Sequence, residues 1–258
     1  QDEPEGIPHA INNALNTKPY SKFLTVLGDN FIFGEKFFTR LEKIFNSTET
    51  CSIFSQNVKN PENFGVIQLN EKNEIQKIVE KPKEYLSSKA VIGLYIFNSD
   101  FQNKFLEINK SDRNEFEITD LIRCYDNKQI LHNPVGRGTA WFDMGTMEDF
   151  YISSSFVRTI QERQGLKVAC LEEIALSLGY LSPSEVTEAG FRMKSDYGKY
   201  LIEIAFEERS QPKANHGMDR QQRPAIIRIT SFNGSSGQRP RVQHDEYVID
   251  PKTSYCQP

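Results

Sequence analysis

The feature that most constrains this chain is the run Tyr20-Ser21-Lys22-Phe23-Leu24-Thr25-Val26-Leu27, which stops at Gly28-Asp29-Asn30. Its apolar residues follow one another without the in-and-out alternation of a half-exposed strand, so both faces need cover. That pattern predicts an inner strand of a mainly parallel sheet, closed by a tight turn. Ala90-Val91-Ile92-Gly93-Leu94-Tyr95-Ile96-Phe97 predicts a second. Between them the pattern predicts a helix over about 34–46, a strand over about 50–56, and a hairpin of residues 64–69 and 74–79 around Asn70-Glu71-Lys72-Asn73.

Helical spacing then takes over. Ile118, Leu121, Ile122 and Tyr125 form one stripe, and Met147, Phe150, Tyr151 and Ser154 another, extended by Val157 and Ile160. Thr146 is placed to cap the second helix, with Asp149 three residues on as in a capping box. Tyr197, Tyr200, Leu201 and Ile204 mark a last helix entered through Ser195-Asp196. Strands interleaved with helices, ending in helices alone, argue an α/β sandwich with a small helical C-terminal subdomain. The aromatic residues of the late helices are expected in its core.

Charge divides this chain into two parts. The formal net of -4 splits into +4 over residues 209–258 and -8 over residues 1–208. An acidic body argues against a nucleic-acid groove, which needs clustered cations. Residues 209–258, rich in Gln, Arg, Pro, Ser and Gly, read as a polar, basic, weakly ordered tail. Ala225-Ile226-Ile227-Arg228-Ile229-Thr230 is its one strand-like run, and the competing reading makes it the opening strand of a further domain. No apolar run is long enough for a membrane helix. Cys51, Cys124, Cys170 and Cys256 form no C-x-x-C pair, which points to reduced thiols and a cytoplasmic setting. The histidines show no ligand spacing, and no Gly-x-Ser-x-Gly elbow is present.

Three places carry chemistry. Asp29 follows a buried strand at its carboxyl end, where open α/β sheets put ligands. It could hold a hard cation such as magnesium, or simply belong to a good turn. Asp143, 114 residues later within Gly138-Thr139-Ala140-Trp141-Phe142-Asp143-Met144-Gly145-Thr146, could be a second metal carboxylate or a dipole partner of the next helix. Glu80-Lys81-Pro82 offers a carboxylate for sugar hydroxyls and a cation for a phosphate, or an ordinary exposed pair.

These signals fall in one order. Gln1-Asp2-Glu3-Pro4-Glu5-Gly6-Ile7 resembles the Q-x-x-P-x-G-L segment of bacterial glucose-1-phosphate thymidylyltransferases, and Val26-Leu27-Gly28-Asp29-Asn30 resembles their V-L-G-D-N. Asn60-Pro61-Glu62-Asn63-Phe64-Gly65-Val66 is similar to their D-P-E-R-Y-G-V, and Val79-Glu80-Lys81-Pro82 to their E-E-K-P. Gly93-Leu94-Tyr95, Phe116-Glu117-Ile118-Thr119-Asp120 and Trp141-Phe142-Asp143-Met144-Gly145-Thr146 continue the match. Glu162-Arg163-Gln164-Gly165-Leu166-Lys167-Val168 and Asp196-Tyr197-Gly198-Lys199-Tyr200-Leu201 narrow it to the thymidylyl branch of the sugar-1-phosphate nucleotidylyltransferases.

The resemblance covers residues 1–206 and implies a Rossmann-like α/β/α nucleotidyltransferase domain, with 207–258 as a tail of no matching role. It implies dTTP and glucose-1-phosphate as substrates, dTDP-glucose and pyrophosphate as products, and a place in deoxysugar synthesis of the rhamnose type. Asp29 and Asp143 would hold Mg2+. Gln1 and Gly6 would face the base. Gly65, Glu80, Val91 and Gly93 would line the sugar pocket beside Phe64 and Trp141, and Lys81 would meet the glucose phosphate. The family is usually a homotetramer with a second, regulatory nucleotide site.

Three departures stand out. Phe64 replaces the usual Tyr, the tail has no counterpart, and the family's G-G-x-G-T-R-L-x-P loop does not occur. The resemblance therefore implies a preceding segment of about 60 or more residues, two βαβ units. The chain alone is expected to be inactive and to leave a sheet edge unpaired. Two alternatives are a uridylyl- or cytidylyltransferase of the same fold, and a non-catalytic module that binds sugar nucleotides.

Overall fold

In a computed structural model, the described residues are 4–34, 36–210 and 225–229, the last as backbone. In chain order the elements are α1 (Ile7–Thr17), β1 (Lys22–Leu27), β2 (Asn30–Phe33), α2 (Phe37–Ser47), β3 (Cys51–Asn57), β4 (Gly65–Leu69), β5 (Ile75–Glu80) and β6 (Lys89–Asn98). They continue through α3 (Phe101–Phe105), α4 (Ile118–Arg123), β7 (Ile130–Pro134), β8 (Ala140–Asp143), α5 (Met147–Gln164), α6 (Leu171–Ser177), α7 (Pro183–Arg192), α8 (Asp196–Ser210) and β9 (Ala225–Ile229). The expected tail otherwise lies outside the described residues.

The α/β class read from the sequence holds, with helices on both faces of a seven-stranded sheet. Side chains of β6 alternate between two cores, which explains its unbroken apolar run. Val91, Tyr95 and Phe97 enter one core with Ile11 and Leu15 of α1, Phe101 of α3 and Leu121 of α4. Ile92, Leu94 and Ile96 enter the other with Phe37 and Leu41 of α2. Each such side chain contributes about 1.5–3 kcal/mol, so β6 is pinned from both sides.

Strand direction differs from the expectation of a mainly parallel sheet. β6 runs antiparallel to β1, β3 and β4, and β4 antiparallel to β5, while β3–β7 and β1–β9 are parallel. Two-sided burial dictates an apolar run whatever the strand's direction, so composition alone does not separate the cases. β1 is paired on its other side by β9, with Phe23 opposite Ala225 through Leu27 opposite Ile229.

Local chemistry accounts for the other elements. Asn70 closes the β4–β5 hairpin by accepting from the Lys72 and Glu74 amides, both at 2.9 Å. The stripe of α4 is buried as its spacing predicts, Tyr125 included. Thr146 caps α5 by accepting from the Asp149 amide at 3.1 Å. The apolar stripe of α5 is not core, however: Met147 and Tyr151 are 83% and 70% exposed, and Phe191 and Phe206 on α7 and α8 are also exposed. Helical periodicity fixes which residues share a face, not whether something covers it.

The chain divides into two structural units within α5, one running to Ser153 and including β9, the other starting at Ser154. The second has its own core of Cys170, Leu176, Val186, Tyr200, Leu201 and Ala205. Among the described residues, Cys51, Cys124 and Cys170 are free thiols, and no helix is long and apolar enough to cross a membrane.

Candidate functional site

The site begins where β1 ends. Gly28 and Asp29 turn the chain, and β2 leaves to pair antiparallel with β8, setting Asn30 opposite Asp143. The Met144 amide donates to the Asp29 carbonyl at 2.8 Å. Two short strands thus bring together two aspartates far apart in sequence. Burial raises the Asp143 carboxyl to about 6; the neighbouring Asp29 and Asp149 carboxylates add to the rise and the Lys81 ammonium opposes it.

This pair suits a hard divalent cation. Magnesium keeps several waters and needs only one or two protein carboxylates beside substrate phosphates. A cation between Asp29 and Asp143 would relieve the repulsion and the burial cost that hold Asp143 up. No group of three or more potential metal-binding side chains occurs among the described residues.

Asn30 organises the neighbourhood, and nothing in its turn-like sequence context singles it out. Its Oδ1 accepts from the Gly93 amide at 2.9 Å and from the Trp141 indole at 2.7 Å, while its Nδ2 donates to Asp29 Oδ1 at 2.9 Å. Gly93 has to be glycine here, because a Cβ would sit 2.7 Å from Asn30 Nδ2 and from the Leu27 side chain. Trp141 stands edge-on to Phe64, with ring centres 5.5 Å apart.

A second cluster forms at the end of the β4–β5 hairpin. Gly65 pairs with Glu80, and a Cβ on Gly65 would lie 2.8 Å from Thr119 Cγ2 and 3.1 Å from Glu80 Oε2. Thr119 donates to Glu80 Oε2 at 3.2 Å. Burial raises the Glu80 carboxyl, and the Glu117 carboxylate adds to this; Arg113, the Thr119 bond and Lys81 pull it back. Burial alone would raise Glu117 too, but hydrogen bonds from Arg113 and Ser111 outweigh it and hold that carboxyl low. Thr119, Arg113 and Glu117 are therefore part of the site although their residue types alone do not announce it.

Lys81 is exposed and its backbone is left-handed, φ +41°. A lysine in that region costs about 1–2 kcal/mol. Its amide bond to the Phe64 carbonyl, 3.0 Å, and the buried Pro82 that follows hold it there. The ammonium acts electrostatically on Asp143, Glu80 and Glu117 alike, so it joins the two clusters. Tyr95, on β6 beneath them, has its phenol pushed up by burial and then by Glu80, Asp29 and Asp143.

Of the residues named from sequence, Asp29, Phe64, Gly65, Glu80, Lys81, Gly93, Trp141 and Asp143 are linked by these interactions. Val91 adjoins Gly65, 3.9 Å from a Cβ built there. Gly6 starts α1 with φ +98° against the Phe116 backbone, apart from the interactions that link the residues above. Gln1 lies outside the described residues.

Comparison with known proteins identifies the family. The nucleotidyl transferase family model matches residues 1–160. A glucose-1-phosphate thymidylyltransferase of Neisseria meningitidis is 37% identical over 206 residues, covering 79% of this chain and 72% of that protein. A solved structure from Bacillus anthracis, provisionally named a glucose-1-phosphate thymidylyltransferase and bound to sucrose, is 30% identical with a TM-score of 0.54. That match covers 61% of this chain and 63% of the solved one, so the chain spans less than two thirds of that structure. A UDP-glucose pyrophosphorylase complexed with UDP-glucose shares the fold, at 22% identity and a TM-score of 0.53, over 61% of this chain and 63% of that one.

Proposed function

The chain belongs to the nucleotidyl transferase family, and from that premise we propose that it transfers a thymidylyl group from dTTP to glucose-1-phosphate. The products are dTDP-glucose and pyrophosphate, for deoxysugar synthesis of the rhamnose type. The observation that supports this best is the β2–β8 pairing that draws Asp29 and Asp143 together beside Lys81.

Asp29 and Asp143 would hold a magnesium ion, which would supply charge neutralisation for the triphosphate. Lys81, whose ammonium acts on Asp143 and Glu80 alike, meets the phosphate of glucose-1-phosphate. Glu80, set by Thr119, accepts from sugar hydroxyls. Gly65 and Gly93 leave room for the sugar, Val91, Phe64 and Trp141 wall the pocket, and Gln1 and Gly6 face the base. A phosphate oxygen of glucose-1-phosphate attacks the α-phosphorus, a new P–O bond forms, and the bond to the β-phosphate breaks as pyrophosphate leaves. Such in-line transfer asks the protein for alignment and charge neutralisation, with no covalent intermediate. Residues 1–206 form the transferase domain, the protein works as a homotetramer, and Cys51, Cys124 and Cys170 as free thiols suit the cytoplasm.

The test is pyrophosphate release by the full reading frame that carries residues 1–258, with glucose-1-phosphate, magnesium and dTTP, UTP or CTP in parallel. Turnover with dTTP at least tenfold above the others is expected. A preference for UTP or CTP would overturn the thymidylyl assignment, and no turnover with any of them would overturn the enzyme.

A further inference from the structure

The three hydrogen bonds of Asn30 leave its amide only one orientation. The oxygen faces two donors, the Gly93 N–H and the Trp141 indole N–H, and the NH2 faces the Asp29 carboxylate. Reversing the amide would turn its NH2 against both donors and its oxygen against an anion. Asn30 therefore touches, through one rigid planar group, a carboxylate proposed to hold the cation and two residues proposed to border the sugar. We propose that Asn30 is a positioning residue that couples the two subsites, so that a divalent cation arriving at Asp29 and Asp143 is transmitted to Gly93 and Trp141.

The physical argument is that Asp29 Oδ1 has two claimants. In this structure it accepts from Asn30 Nδ2. A cation at Asp29 and Asp143 draws the same carboxylate electrons and shifts the carboxylate toward itself. The amide follows or loosens, and either response alters both bonds at Oδ1, because a planar amide moves as a unit. Trp141 feels this through its indole hydrogen and passes it to Phe64, against whose ring it packs. Gly93 feels it in the backbone of β6, pinned by the two cores on either side. By linkage the effect is reciprocal: whatever fixes Trp141 and Gly93 in the sugar-bound arrangement also favours the cation-ready position of Asp29. Outer partners of ligating carboxylates typically change metal affinity by about 10–100-fold when removed.

The inference rests on the metal reading above, and the experiment separates the two. Trp141 is the only tryptophan in residues 1–258, and Trp141→Phe identifies its indole resonance in a nitrogen-15 proton spectrum. Magnesium chloride is titrated into the protein while that resonance and the Gly93 amide are followed, and calorimetry measures binding independently. The expected result is that both resonances move along the calorimetric isotherm. In Asn30→Ala, magnesium affinity falls about 10–100-fold, and at saturation the indole shift drops below about a third of the wild-type shift, since the atom that carries the effect is gone.

Should Asn30→Ala fail to fold, because the Gly93 amide then lacks its acceptor, the wild-type titration decides alone. Magnesium binding that moves the Asp29 and Asp143 amides but leaves the indole and Gly93 still would overturn the coupling and keep the metal site. An indole shift of full size in folded Asn30→Ala would overturn it as well. Absence of any magnesium binding in calorimetry would overturn the metal site itself, and the coupling with it.

Discussion

Replacing Asp143 with asparagine should make the cation-free protein more stable while it lowers turnover steeply. Burial and the Asp29 carboxylate raise the Asp143 carboxyl from its ordinary 3.8 to about 6, so the folded state holds this proton more tightly than the unfolded chain does. Above pH 6 the group is ionised in both states and its charge works against the fold. Below about pH 4 it is protonated in both, and the cost disappears. The full span corresponds to about 3 kcal/mol. Asp143 keeps solvent contact, so screening reduces this to about 1–2 kcal/mol. Asparagine has the same shape without the charge, and no hydrogen bond of the Asp143 carboxylate appears among those described. For a domain of this size, thermal unfolding at pH 8 without divalent cations should rise by about 2–8 °C in Asp143→Asn. The gain should shrink to nothing as pH falls from 6 to 4. Magnesium should reverse the order, because it stabilises only a protein that binds it. An Asp143→Asn protein less stable than wild type at pH 8 without cations, or a gain indifferent to pH, would refute the reasoning.

Two other changes test separate parts of the structure. Gly65→Ala puts a Cβ 2.8 Å from Thr119 and 3.1 Å from Glu80; the KM for glucose-1-phosphate should rise about tenfold or more with kcat less affected, and an unchanged KM would remove Gly65 from the sugar pocket. Thr25→Val removes a buried hydroxyl that has no hydrogen-bond partner among the described residues, so chemical denaturation should show a gain of about 1 kcal/mol, whereas a loss would mean the hydroxyl is satisfied.

The legible parts of the fold are those that local chemistry determines. The runs of β1 and β6 are read from two-sided burial, the β4–β5 hairpin from its polar turn, and α4 and α8 from helical stripes that the cores then bury. What stays hidden depends on partners distant in sequence. β2 and β8 have four residues each and no clear alternation, and they exist as strands because they pair with each other across 110 positions. α1 carries Asn12, Asn13 and Asn16, poor helix formers, and is held by burying Ile11 and Leu15. Asp29, Glu80, Lys81 and Asp143 are visible as chemistry-bearing types, but each has a plain local explanation until topology joins them. Asn30 is the extreme case: in a Gly-Asp-Asn turn its identity has a local explanation, and only the fold reveals that its side chain faces Gly93 and Trp141.

The central claim is that Asp29 and Asp143 together hold the cation on which nucleotidyl transfer depends. The most direct test measures pyrophosphate release from dTTP, glucose-1-phosphate and magnesium by the full reading frame, alongside Asp29→Asn and Asp143→Asn. Losing one ligand of a two-carboxylate site should lower kcat/KM by about a hundredfold or more in each variant, with the fold intact by circular dichroism. Turnover that survives both substitutions within a factor of a few would leave the fold standing and contradict the metal site.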